Sequence, residues 1–235
     1  MNIVLLESVS SSGLIPSTDR RAQHIIRVLR LKAGDTFILG QLNAHLGTGL
    51  ITSITGDGVH YTYEKTRDAK PLYPLTLLVG QVRPISMKRI LREATMLGAQ
   101  EVIISRCELA EKSYESAKIY TDKAYEEFLL DGAMIAGDVC VPNVEIITDL
   151  KSVEYDKYQH RFLLDNVTGS SPLSREEVTG ETIVAVGPER GFSDAERALF
   201  LHHDFTVHSL GGRILRTETA CPVALSIVLS RMGLL

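Results

Sequence analysis

Two glycine-bearing loops in the stretch Thr182–Ala220 carry the side chains best suited to chemistry. Glu189 sits in Gly187-Pro188-Glu189-Arg190-Gly191, and Arg216 and Glu218 follow Gly211-Gly212. A carboxylate can accept a proton, and a guanidinium can stabilise charge that develops on oxygen. Gly187, Gly191, Gly211 and Gly212 would let backbone N–H and C=O groups approach a bound molecule closely; a left-handed turn alone is the lesser explanation of the four together. Leu164, Leu210, Ile214 and Leu215 lie where they could wall an apolar ring.

The elements that must hold these loops are legible nearby. Ile183-Val184-Ala185-Val186 is an unbroken apolar run, the composition of a buried parallel strand. Ser193 with Glu196 three residues on predicts a capping box, and a helix body follows over 195–201. A second strand is expected over 206–210, ending at the glycine pair. Residues 222–229 are apolar nearly all round, which predicts a buried helix. Two strands thus end in glycine loops that lead to helices, and in open α/β sheets ligands sit outside the carboxyl ends of strands.

Gly187-Pro188-Glu189-Arg190-Gly191-Phe192-Ser193, followed about twenty residues on by LGGRILRTETA ending at Ala220, resembles the trefoil-knot methyltransferases of the SPOUT class. The match is to the family of ribosomal RNA small-subunit methyltransferases E. The family usually has GPEGG, so Arg190 departs from it. The resemblance extends to Ala94-Thr95-Met96-Leu97-Gly98 and to Glu111-Lys112-Ser113-Tyr114, a loop that one subgroup places near its substrate pocket. It also covers RRAQHIIRVLR over residues 20–30, similar to the family's entry into a PUA-like RNA-binding domain. A second departure falls at Met134-Ile135-Ala136-Gly137-Asp138, where the family commonly carries a Gln and an Arg.

The resemblance implies an α/β protein with two domains: a smaller N-terminal PUA-like β-barrel over 1–70 and a C-terminal SPOUT parallel-sheet domain with a deep trefoil knot over 71–235. It implies S-adenosyl-L-methionine as cofactor, contacted by Leu164, Gly187, Glu189, Gly191, Leu210, Gly211, Ile214, Leu215 and Ala220. The implied substrate is 16S rRNA in the small ribosomal subunit, methylated at N3 of a uridine by a cytoplasmic homodimer. In-line displacement at a sulfonium methyl is governed by positioning and requires no metal. The N3 imide proton must leave, so Arg216, Glu218 and Glu189 are the candidates for stabilising the base and accepting its proton. Helix N-terminal electrostatics accounts for Glu218 as well as catalysis does, and Arg216 is equally readable as a core-edge ion pair. The alternatives are a non-catalytic RNA-binding or ribosome-assembly factor on the same fold, or the same enzyme class acting on another base.

Composition sets the outer limits. A chain of 235 residues, 44% hydrophobic and 23% charged, has the make-up of a globular protein. Cys107, Cys140 and Cys221 are odd in number and lack metal-ligand spacing, as expected of reduced thiols in the cytosol. No GxxxxGK[ST], strand-linked GxGxxG or GxSxG pattern occurs, which argues against P-loop, Rossmann and α/β-hydrolase chemistry. His202-His203 would diverge on a helix, so a surface or capping role is expected. No apolar run reaches membrane-spanning length, and Met1–Val4 lacks the basic start of a signal peptide.

The net charge of −4 is unevenly spread: the first 70 residues hold 8 Lys and Arg against 6 Asp and Glu, and the remainder hold 17 against 23. Arg20, Arg21, His24, Arg27 and Arg30 form a local basic stretch suited to a phosphate backbone. A helix is expected over 18–31, capped by Thr18 or Asp19, with Ile25, Val28 and Leu29 inward. Residues 3–6, 36–39, 49–54 and 59–63 read as short strands of a small barrel, and 7–16 as a serine-rich loop. Beyond the charged, proline-bearing 65–74, strands are expected at 75–80, 102–105, 144–147 and 161–164. Helices are expected at 84–97, with Met87, Ile90, Leu91, Ala94 and Leu97 as its stripe, and at 117–135.

Overall fold

The computed structural model describes residues 3–166 and 170–235. They form two compact units: Met1–Pro71 together with Ala133–Val141, and Leu72–Gly132 together with Pro142–Leu235. The piece around Met134–Asp138, where the family Gln and Arg are missing, therefore belongs with the first unit.

The first unit is a five-stranded sheet in the order β1-β3-β4-β5-β2. Its strands are β1 (Ile3–Leu6), β2 (Ser12–Pro16), β3 (Thr36–Gln41), β4 (His45–Thr55) and β5 (Gly58–Asp68). Alternation places Phe37, Leu39, Ile51, Val59 and Tyr61 on the inner side, where they pack with Val4, Ile15, Ala22 and Ile25. The expected serine-rich loop is in part strand β2, because Leu14 and Ile15 sit opposite His60 and Val59 of β5 and the backbone is taken up in that ladder.

The helix expected over 18–31 is shorter and changes type. Asp19 caps α1 (Arg20–Gln23), which runs into one π turn, His24–Val28, closed by Leu29 N–H donating to the His24 carbonyl at 3.0 Å. The wider turn rotates the following residues. Val28, expected inside, is 64% exposed, and Arg30 adopts φ +55°, which ends the segment.

The second unit is a seven-stranded, all-parallel sheet in the order β10-β12-β9-β11-β6-β7-β8. The strands are β6 (Tyr73–Gly80), β7 (Ala99–Ser105), β8 (Asn143–Ile147), β9 (His160–Leu164), β10 (Ser171–Pro172), β11 (Thr182–Val186) and β12 (Thr206–Ser209). β11 is buried at every residue and sits between β9 and β6, with Val186 level with Leu164 on one side and Val79 on the other. Unbroken burial explains its continuous apolar run.

Helix α2 (Pro84–Met96) buries Met87, Ile90, Leu91, Ala94 and Thr95; Leu97, its C-cap, is only half-buried. The single helix expected over 117–135 is two, α3 (Lys118–Thr121) and α4 (Glu126–Ala136), because Lys123 takes φ +53° between them. α5 (Asp194–His202) starts at Ser193 with its capping box formed. His203 caps its far end and packs on the Tyr155 ring, and His202 is exposed. α6 (Thr217–Arg231) buries Cys221, Ala224, Leu225, Val228 and Leu229, packing on α2, β11 and β6. Fully burying each leucine stabilises by about 1.5–3 kcal/mol.

Candidate active site

Every parallel strand of the sheet points its carboxyl end the same way, and the segments after β6, β7, β9, β11 and β12 enclose one cavity of about 740 Å³. This volume is in the range of sites that bury a drug-sized ligand. Leu164, Leu210, Leu215, Ala220 and Val186 supply apolar lining, and Ile214, 87% exposed, stands at its edge. Gly187, Glu189 and Gly191 line it from the loop after β11, and Arg216 and Glu218 from the start of α6. Gly211 is absent from this lining.

The loops are fixed by side chains that answer backbone groups. Thr217 Oγ1 donates to the Gly187 carbonyl at 3.1 Å, tying the loop after β11 to the first turn of α6. Glu189 Oε1 accepts from the Arg83 backbone N–H at 2.9 Å; Arg83 is the N-cap residue of α2 and its own side chain makes no capping bond. Glu189 thus anchors a helix start. Glu196 does more than close its capping box. One oxygen accepts from Ser193 N–H at 2.7 Å and the other from Glu108 N–H at 2.9 Å, joining α5 to the segment after β7. Replacing Glu196 by Ala leaves both donors unanswered, and chemical denaturation should show a loss of about 1–3 kcal/mol. A change within the error of such a measurement would mean that water takes over both donors.

The glycines serve different ends. A Cβ on Gly187 would lie 2.9 Å from the Cα and C atoms of Gly191 and 3.0 Å from Phe192 N, so the loop's own backbone forbids it. A Cβ on Gly211 meets no heavy atom within 4 Å; its φ of +116° is what calls for glycine there.

Arg216, the N-cap residue of α6, has an 86% exposed side chain whose Nη1 is 3.9 Å from Glu218 Oε1. The Glu218 side chain is 15% exposed and occupies the first helical turn, the stabilising place for a carboxylate. Several lining residues were not expected from the sequence: Arg83, Leu109, Arg197 and His208; Tyr114, in the motif loop Glu111–Tyr114 expected near the substrate pocket, lines it as well. Arg197 Nε pairs with Asp165 Oδ2 at 2.5 Å, and this bond raises the guanidinium above its ordinary pKa. His208 is buried, which lowers its pKa; its ring nitrogens lie 3.0 Å from Ser171 Oγ and 2.8 Å from Thr206 Oγ1. Burial pushes the Cys107 and Cys221 thiols up, so neither has the character of a nucleophile. Among the described residues no group of three or more His, Cys, Asp or Glu is placed to hold a metal, and no helix is long and apolar enough to cross a membrane.

In the first unit, Arg20, Arg27 and Arg30 are exposed and make no ion pair among the described residues, and His24 is half-buried. Arg21 is engaged otherwise: Nε and Nη2 donate to the Asp19 carboxylate at 2.9 and 2.6 Å and Nη1 to the Leu5 carbonyl at 2.7 Å. The Arg21 bond holds the Asp19 carboxyl below its usual pKa.

Residues 68–229 match the family described as RNA methyltransferase domain, and residues 18–61 match RNA methyltransferase PUA domain. The crystal structure of a ribosomal RNA small subunit methyltransferase E from Neisseria gonorrhoeae, bound to S-adenosyl methionine, superposes with a TM-score of 0.82 at 21% identity, covering 99% of this chain and 98% of that one. The fold is therefore that of the SPOUT trefoil-knot RNA methyltransferases, with a PUA-like barrel. The chain is 30% identical to ribosomal RNA small subunit methyltransferase E 1 of Borreliella burgdorferi, over 99% of each chain. It is 31% identical to ribosomal RNA small subunit methyltransferase E of Treponema pallidum, over 98% of this chain and 91% of that one. It belongs to the family of ribosomal RNA small subunit methyltransferases E.

Proposed function

We propose that the chain methylates N3 of a uridine in 16S rRNA of the small ribosomal subunit, using S-adenosyl-L-methionine and acting as a cytoplasmic homodimer. The observation that carries this reading is the meeting, in one cavity at the carboxyl ends of parallel strands, of an apolar wall with Arg216 and Glu218. The relatives' names support rRNA of the small subunit as the substrate class. The family resemblance supports the base, the atom and the dimer.

The residues present suit that cofactor. Leu164, Leu210 and Leu215 offer a slot for a flat ring, and the Glu218 carboxylate offers a counter-charge to a cationic ligand. When bound, S-adenosylmethionine supplies the activated methyl group. The chain's part is to hold the uracil in line and to take the N3 proton. Glu218 is the better placed acceptor, since one oxygen of Glu189 is already committed to the Arg83 N–H. Arg216, exposed beside it, is free to pair with the uracil oxygens as N3 loses its proton. Exposed Arg20, Arg27 and Arg30 suit phosphate contacts, and Arg21 holds Asp19 and Leu5 together.

Two measurements test the reading. Calorimetry with S-adenosylmethionine separates an enzyme from an RNA-binding factor that retains only the fold. Mass spectrometry of small-subunit rRNA from a strain lacking the gene should show one uridine without its methyl group, and unaltered rRNA would sink the proposal. On the barrel, replacing Arg27 or Arg30 by Ala should reduce the salt dependence of RNA binding by about 0.7–0.9 per lost phosphate contact. An unchanged slope would make that face ordinary surface.

A further inference from the structure

The cavity carries charges of both signs at different depths. Its most buried carboxylates are Asp165 and Glu218, with side chains 14% and 15% exposed. Arg83, Arg190 and Arg213 also line it, but all three are exposed and none forms an ion pair among the described residues. They come from three segments: the turn after β6, the loop after β11 and the loop after β12. The Glu189–Arg83 backbone bond holds the first two of these segments together. Three guanidiniums without an ion-pair partner among the described residues stand around one opening and repel one another. They stand in a part of the chain, residues 71–235, where acidic residues outnumber basic ones. At the rim the exposed arginines, these three and Arg216, outnumber the exposed carboxylates Glu111 and Glu189, which suits a polyanion there.

One aromatic ring accompanies them. Tyr114 lines the same cavity, half-buried, in the short 3₁₀ turn Lys112–Tyr114. Its neighbour Glu115 is tied to Arg106 at 2.6 Å, which steadies the turn. The Tyr114 hydroxyl beside the Arg83 side chain raises that guanidinium above its usual pKa. His208, the other ring in the lining, is buried with both nitrogens engaged and offers no open face. A phosphate chain with an unstacked base needs this pairing of fork-shaped donors with a flat apolar face.

Resting on the reading of this cavity as the methyl-transfer site, we infer that Arg83, Arg190 and Arg213 grip phosphates of a single-stranded RNA segment at its rim, and that Tyr114 stacks a base of that segment. Recognition of the target strand is then built into the sheet domain itself, in addition to any contact made by the barrel. Arg190 replaces a glycine of the family pattern, so this chain has one grip more than that pattern supplies.

The test uses the full chain, a fluorescein-labelled oligouridine and a salt series read by anisotropy. Arg190→Ala with Arg213→Ala should lower the magnitude of the salt slope by about 1.4, two single-strand contacts at about 0.7 each. Tyr114→Ala should weaken binding about tenfold at every salt concentration with the slope unchanged, and Tyr114→Phe should retain affinity. Calorimetry on each variant should show unaltered S-adenosylmethionine binding. A wild-type slope in the double variant overturns the rim, as does lost cofactor affinity, which would assign these arginines to the cofactor's carboxylate. Wild-type affinity in Tyr114→Ala removes the stacking role. Failure of the unsubstituted chain to bind the cofactor would instead strike the reading of the cavity, while the slope still reports on the rim.

Discussion

Arg216→Ala should lower the single-turnover rate of methyl transfer on small subunits about 100-fold at saturating cofactor, by analogy with removing one donor from an oxyanion site. Arg216 does little for the fold. It is the N-cap residue of α6 and makes no side-chain capping bond. A guanidinium at a helix N-terminus faces the positive end of the dipole, an unfavourable position. Glu218 at 3.9 Å offsets part of this, yet at 86% exposure such a pair contributes little. Local stability therefore does not account for an arginine here, whereas the proposed transfer to a uracil, with negative charge growing on its oxygens, would. Function and fold separate at this position: Arg216→Ser supplies a capping hydroxyl and should raise stability by about 0.5–1 kcal/mol while the rate falls. Arg216→Lys should recover only part of the rate, since an ammonium lacks the planar fork. An Ala variant that turns over at the wild-type rate would place the guanidinium outside the chemical step.

Gly187→Val should abolish S-adenosylmethionine binding measured by calorimetry. The contacts a side chain would make there, at 2.9–3.0 Å, are with backbone atoms of Gly191 and Phe192, and Phe192 is itself buried in the core. Nothing flexible is available to yield. The Gly187 carbonyl also receives the Thr217 hydroxyl, so a shift propagates to the first turn of α6 and to Arg216 beside it. Overpacking of this kind costs about 1–3 kcal/mol, which circular dichroism and denaturation will register separately from binding. Gly211→Val is the informative companion. It is also expected to lose the cofactor, but through backbone strain at φ +116° in open space. Wild-type affinity in the folded Gly187 variant would exclude the loop after β11 as a wall of the binding site.

The parts of this chain that could be read from its residues are those decided locally. The apolar run of β11, the Ser193–Glu196 box and the stripe of α2 depend on neighbours within a few positions, and each formed where its pattern placed it. Where a single backbone conformation intervened, periodicity misled. The π turn at His24–Val28 turned Val28 outward, and Lys123 split one expected helix into two. The cavity was half legible for a related reason. Gly187, Leu210, Glu218 and Tyr114 belong to contiguous motifs, but Arg197 and His208 join them only because five strands end at one level. Nothing in the run of residues distinguishes Arg197, on a helix after β11, as the partner of Asp165 after β9. Glu189 and Glu196 are similar cases, their carboxylates being claimed by main-chain donors 106 and 88 residues away.

The place of β11 also bears on how the chain reaches its native state. It lies between β9 and β6 although it follows both in sequence, so Thr182 must pair with Leu75 across nearly half of the polypeptide. Until it arrives, the two flanking strands have no partner on their inner edges, and the sheet exists only as separate halves. Such distant pairings demand loop closure before any contact repays it, which puts folding toward the millisecond-to-second end of the range for single domains. The central strand is thus a late arrival, and the half-sheets that wait for it expose strand edges that invite association between nascent chains.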